Sequence, residues 1–489
     1  MKVEKTSTKK NFLYQMIYEV LILILPLITS PYIARVIGAD GLGVFSFSYT
    51  VAFYFVLFSM LGIKNHGNRA IARVRDDQNE LNHTFSDIAV LHIAVSLVCT
   101  MCYVGYIFCL QGDDRLYAFI MFFYVLSAVF DISWFYFGIE KFKLTVTRNT
   151  IVKLLTVLSV FIFVKTKNDL WIYCLIMSLG NLVSQVALWV PLRKFVRFVK
   201  PNFSNMLRHL KPLFILFLPA IAVSLYKYMD KIMIGTLSNK VQLGFYENAD
   251  KMVGIPLTVI VSFGTVMLPK MSNLVKKSSS GAQTRRLMED SMKYVMCIAF
   301  ALAFGLGSVS TVFAPVFWGE DFSASGAIIM GLSTTIPFIS FADVIRTQFL
   351  IPREKDKEYL ISVISGAVLN LIINYLLIPP LGALGAMIGT ISAEVTVCTI
   401  QAFVVRKALP LKRYFKNMLF FLVLGVIMAA AVYALGMIMG NSVLTLILQV
   451  FLGVAIYGAG AVVYFFKTKD TMIIGIYENK IKKLFKRKA

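Results

Sequence analysis

Charge is what this sequence has least of. Only 15% of its 489 residues are Asp, Glu, Lys or Arg and 58% are apolar, whereas soluble domains carry about 25% charged and 45–50% apolar residues. That balance excludes a soluble globular enzyme. Acids are scarcer than bases, 26 against 49, leaving a net charge of +23. Chemistry-bearing motifs are missing too. No Walker A string G-x-x-x-x-G-K-[ST] occurs, so the chain itself is not an ATPase. The D-x-D metal motif common in nucleotide-sugar transferases is also absent. The four histidines (His66, His83, His92, His209) are scattered and point to no metal site. All six cysteines fall in apolar segments. Cys99 and Cys102 match C-x-x-C, but with no βαβ pattern or His cluster beside them they read as small packing residues.

What the sequence has in abundance is apolar runs of spanning length, about 20 residues each. They lie near 12–34, 42–62, 84–110, 116–138, 147–164 and 170–191, then near 212–236, 250–269, 292–316, 325–350, 358–378, 383–405, 416–437 and 443–466. Barrel strands would be shorter and alternate in polarity. The expectation is therefore an all-α polytopic membrane protein of about fourteen transmembrane helices. Of the 49 Lys and Arg, 39 fall in alternate loops and the two ends. By the positive-inside rule that side, and both termini, are cytoplasmic. The positive charge is thus mostly topology and calls for no nucleic acid, while the basic tail can also touch anionic lipid. The first run is longer than a signal-peptide core and has no A-x-A-like cleavage site, so it reads as retained.

The second six segments repeat the first. Leu25-Pro26 is answered by Leu218-Pro219, and Leu42-Gly43 by Leu243-Gly244. An even number of helices per half makes these parallel repeats about an axis along the membrane normal. The expected organisation is an N-terminal six-helix lobe (1–192), a basic cytoplasmic linker (193–211), a C-terminal six-helix lobe (212–405), two additional helices (406–466) and a basic tail (467–489).

Several strings carry a family resemblance: Pro31-Tyr-Ile-Ala-Arg35-Val-Ile-Gly38-Ala-Asp-Gly41-Leu-Gly43, Leu61-Gly62-Ile-Lys-Asn65-His-Gly67-Asn-Arg69, and Asp131-Ile-Ser-Trp134-Phe-Tyr-Phe-Gly138-Ile-Glu140-Lys141 with Arg148-Asn149. Later come Met229-Asp230-Lys231-Ile-Met-Ile-Gly235, then Asn370, Asn374 and Leu381-Gly382-Ala-Leu-Gly385-Ala386 through Ala393-Glu394. In order and topology, over roughly residues 10–405, they resemble the polysaccharide repeat-unit flippases of the multidrug/oligosaccharidyl-lipid/polysaccharide exporter superfamily. That resemblance implies a multi-pass protein of the bacterial cytoplasmic membrane. Such a protein carries undecaprenyl-diphosphate-linked oligosaccharide units outward, by alternating access, for capsule, O-antigen or exopolysaccharide assembly. Membrane lipids would be partners, as would a polysaccharide polymerase and chain-length machinery. No cofactor is implied beyond coupling to H⁺ or Na⁺.

Ionisable residues inside spans are costly and usually face a bundle interior or water. Lys227, Asp230 and Lys231 share one helix face, as do Asp343 and Arg346. For a diphosphate group the candidates are Arg35, Lys153, Lys227, Lys231 and Arg346, of which the arginines suit bidentate contact. Tyr49, Trp134, Asn181, Gln185, Asn370 and Asn374 are candidates for sugars, and Glu19, Asp131, Asp230 and Glu394 for ion coupling. Against these roles stand internal salt bridges (Asp230 with Lys227 or Lys231, Asp343 with Arg346) and helix-to-helix amide bonds. Two negative charges leaving a cell with an inside-negative 100 mV potential release about 4.6 kcal/mol, so the outward step needs no ATP. The rival readings are an ion-coupled multidrug exporter of the same superfamily and a membrane glycan polymerase.

Overall fold

The computed structural model describes residues 8–276 and 281–470, with side chains from Ile24 onward except at 219, 226, 276 and 281–283. Every regular element among them is helical. In order they are α1 (Thr8–Met60), α2 (Ile63–Val74), α3 (Gln78–Cys109), α4 (Gly112–Val129), α5 (Ser133–Gly138) and α6 (Phe142–Phe163), followed by α7 (Leu170–Val186), α8 (Trp189–Leu192) and α9 (Phe203–Leu237). The chain continues with α10 (Lys240–Lys276), α11 (Gly281–Trp318), α12 (Ser323–Ser333), α13 (Thr335–Ile345), α14 (Asp356–Leu381), α15 (Ala383–Val405), α16 (Leu411–Met439) and α17 (Val443–Lys467).

Thirteen of the described helical stretches are long and apolar enough to cross a membrane. The first contains two of the segments expected from sequence. They meet at Gly38, whose φ of 73° and ψ of 179° break α1 into two arms. That backbone region is open essentially only to glycine. Dividing the stretch there accounts for the expected fourteen. The chain is an all-α, multi-pass membrane protein.

The basic stretch after the second segment is itself a helix. In α2, Ile63, Gly67 and Ile71 are buried, while Lys64, Arg69 and Arg73 are exposed. One apolar stripe and one cationic face suit an interfacial position.

The chain forms two compact units. Unit 1 comprises Met1–Glu247 and Asn374–Ala386; unit 2 comprises Asn248–Ile373 and Met387–Ala489. In unit 1, α4 packs on α1, α3 and α7, and α1 also contacts α6 and α9. A core forms where the short helix α5 inserts Trp134, Phe135 and Tyr136, all fully buried, against Phe85, Ile88 and Ile71. In unit 2, α11 packs on α12, α13, α16 and α17. No charged residue occurs between positions 417 and 466, and Met437, Ile438 and Phe451 are 70% or more exposed. A strongly apolar, outward-facing surface of that kind suits contact with lipid.

Candidate functional site

The richest group of buried polar side chains among the described residues lies within unit 1. The second arm of α1 brings Ser46 and Tyr49; α4 brings Tyr124; α9 brings Tyr228, Asp230 and Lys231; the start of α10 brings Tyr246 and Glu247; and α14 brings Asn374. Lys231 pairs with Glu247 at 2.8 Å, their side chains only 8% and 9% exposed. The Ser46 hydroxyl donates to Glu247 Oε2 at 2.7 Å. Asp230 accepts from the Tyr246 hydroxyl at 2.7 Å and from Asn374 Nδ2 at 2.6 Å. Tyr49 stacks on Tyr124 at 4.8 Å with nearly parallel rings, and the Lys231 ammonium sits 5.5 Å from the Tyr228 ring.

Packing brings these groups together. A Cβ on Gly43 would overlap the Lys240 carbonyl oxygen, and one on Gly244 would overlap that of Ala39. The two glycines therefore let the second arm of α1 and the first turn of α10 touch backbone to backbone. Further along, the Gln242 side-chain oxygen accepts the Ala383 N–H at 3.1 Å and ties the α14–α15 turn to the same place. Each buried carboxylate thus has a donor supplied by another helix. Without such partners, burial would cost several kcal/mol per ion. Lys231 is the cation of this group, held between Glu247 and the Tyr228 ring.

The other sequence candidates are distributed as follows. In unit 1, Lys227 and Arg35 are exposed and Lys153 is partly exposed. Trp134 is fully buried, with Phe85 stacked at 5.6 Å on its ring, its Nε1 donating to the Asp131 carbonyl at 3.1 Å, and Gly67 so near that a Cβ there would lie 2.6 Å from the indole. It packs the core and presents no open ring face. Asp131 is buried and accepts the Ser133 N–H at 2.9 Å, two residues ahead at the start of α5. Asn181 donates to the Met177 carbonyl in its own helix. Gln185 accepts from Arg148, which also reaches the Ser184 carbonyl at 2.7 Å and Asn149. In unit 2, Arg346 pairs with Asp343 on the preceding turn, and Asn370 and Glu394 are buried. The Glu19 side chain lies outside the described residues.

Ser46, Tyr124, Tyr228, Tyr246 and Glu247 went unrecognised in the sequence. Glu247 and Tyr246 sit in the charged string Tyr246-Glu247-Asn248-Ala249-Asp250-Lys251, which lowers local hydropathy so that the apolar span reads from about 250. The helix in fact begins at Lys240. The useful signal was an acid at helical spacing from Leu243-Gly244, the partner of Leu42-Gly43 in the repeat.

The described residues define a multi-pass helical fold with ionisable groups paired in its interior. The structure resembles that of a lipid II flippase MurJ in an inward closed conformation, with a TM-score of 0.78 and 16% identity over 94% of this chain and 99% of that one. The chain belongs to the polysaccharide biosynthesis protein family, whose profile matches residues 8–275. It is 25% identical to a putative O-antigen transporter of Escherichia coli (strain K12) over 415 residues, 83% of this chain and 98% of that protein. It is also 22% identical to a probable low-salt glycan biosynthesis flippase, Agl15, of Haloferax volcanii, over 49% of this chain and 50% of the relative.

Proposed function

We propose that this protein is a flippase for lipid-linked oligosaccharides rather than an enzyme. Its cargo would be undecaprenyl-diphosphate-linked repeat units, carried from the inner to the outer leaflet of a bacterial cytoplasmic membrane for capsule, O-antigen or exopolysaccharide assembly. The observation that carries this reading is the buried Lys231–Glu247 pair at 2.8 Å. A phosphoryl group entering the site would compete with Glu247 for Lys231, and a released Glu247 would then take up a proton or sodium ion. Asp230, held by Tyr246 and Asn374, offers a second carboxylate for the same coupling. The relatives' names agree with a glycan cargo. The biased Lys and Arg placement supports cytoplasmic termini. Rocking between two access states would move the head group while the lipid tail stays in the bilayer.

The test is accumulation in a deletion strain. Undecaprenyl-linked intermediates extracted from spheroplasts are exposed to an impermeant outer-leaflet probe. Complete units trapped on the cytoplasmic side support the flippase, and their mass names the glycan. Units exposed outside but unpolymerised would replace this reading with a polymerase. Unchanged pools, with altered drug resistance, would favour a multidrug exporter.

A further inference from the structure

Unit 2 contains a small basic cavity, of about 210 Å³, lined by Thr284, Arg285 and Met288 of α11, Phe349 and Arg353 from the turns after α13, and Ala408 and Leu409 before α16. Its floor is apolar, with Met288, Phe349 and Leu409 each no more than 5% exposed. Arg353 sits over Phe349, its guanidinium carbon 4.0 Å from the ring centroid. Arg285 is near enough to repel it electrostatically. The acids one turn along α11 are engaged elsewhere: Glu289 pairs with Arg413 at 2.6 Å and Asp290 with Lys293 at 3.6 Å. No carboxylate stands among the described lining residues. Like charges brought together around a cavity repel, and an anion between them removes the penalty. Guanidinium forks match phosphate oxygens bidentately. A cavity of this size admits several waters or one such group.

We propose that this cavity binds a phosphoryl group, and that an anionic lipid supplies it. The argument for lipid is position. Thr284–Met288, Arg353 and Ala408–Leu409 all belong to the basic set of loops and their flanks, the side proposed to be cytoplasmic, where basic pockets between transmembrane helices bind lipid head groups. Phe349 and Met288 would meet the glycerol backbone while Arg285 and Arg353 hold the phosphate. The site shares no residue with the Lys231–Glu247 network and does not depend on the identity of the transported cargo.

The test is equilibrium binding to the purified full-length protein, with dioctanoyl phosphatidic acid, dioctanoylglycerol and inorganic phosphate as probes. Phosphatidic acid is expected to bind saturably, and at least about tenfold more weakly to the Arg285→Ala/Arg353→Ala variant. Arg286→Ala, which changes charge beside the cavity without lining it, is expected to stay within about twofold. Ala408→Trp fills the cavity with no change of charge and is expected to abolish the saturable phase. Competition by inorganic phosphate at similar strength would support the phosphoryl site but make soluble phosphate its source, and failure to compete would support the lipid head group. Equal binding by the double variant, an equal loss in Arg286→Ala, or equal binding of dioctanoylglycerol would each overturn the proposal.

Discussion

Lys231 and Glu247 meet at 2.8 Å across two helices, with their side chains less than a tenth exposed and Ser46 donating to the same carboxylate oxygen. On α9 alone, the acid within a turn of Lys231 is its neighbour Asp230. Asp230 itself accepts from Tyr246 and Asn374. Two buried acids and one buried base are therefore satisfied by four different helices.

That arrangement makes Lys231→Met damaging in a specific way. Leaving Glu247 buried without its cation should cost about 3–5 kcal/mol, and removing both charges in Lys231→Met/Glu247→Leu should recover most of that loss. Transport should remain absent in the double variant. Thermal unfolding of the purified protein, run beside complementation of surface glycan, separates the two effects. An unchanged midpoint in Lys231→Met would mean that the pair is not desolvated.

Asn374 tests the other half of the network. Asn374→Leu removes a donor to buried Asp230 and should destabilise by about 1–3 kcal/mol, more than Tyr246→Phe, which removes one hydroxyl and leaves the ring in place. If Asp230 carries the coupling ion, both variants should also change how the flipping rate depends on pH or sodium in proteoliposomes. Identical ion dependence in all three proteins would remove Asp230 from that role.

The repeat glycines should not tolerate even a methyl group. Gly43→Ala and Gly244→Ala each drive a Cβ into a backbone carbonyl, an overpacking worth about 1–3 kcal/mol or more. Gly105 in α3, where an added Cβ meets nothing within 4 Å, should instead gain about 0.5–1 kcal/mol on change to Ala. Unfolding midpoints of the three variants provide the comparison, and a neutral Gly43→Ala would mean that α1 and α10 do not touch at that point.

Asp470 fastens the end of α17 to α11. It accepts from Lys293 and from the Tyr294 hydroxyl and is 7% exposed. Asp470→Ala should cost about 1.5–3 kcal/mol, the worth of hydrogen bonds to a charged group. Hydrogen exchange should locate the loosening in the last turn of α17, and uniform protection there would contradict the contact.

Much was legible in the sequence because a membrane imposes a simple rule. With no water to hydrogen-bond, a spanning chain must be helical and apolar for its whole crossing. Fourteen apolar runs, the gap between the first two of them and the charge-free stretch at 417–466 therefore read directly from residue order. Lys231 and Asp230 stood out as buried charges for the same reason. Which partner each would take was not legible. Helical spacing relates a residue only to neighbours three or four positions away, whereas Glu247, Ser46 and Asn374 reach the site from other helices. Trp134 shows the converse: an aromatic plausible as a sugar platform became core once Phe85 and Gly67 closed on it. The one-dimensional pattern determined which segments enter the membrane, since transfer free energy accumulates along the chain. Only tertiary packing decided which polar groups meet, because that depends on where glycines such as Gly43 and Gly244 let backbones approach.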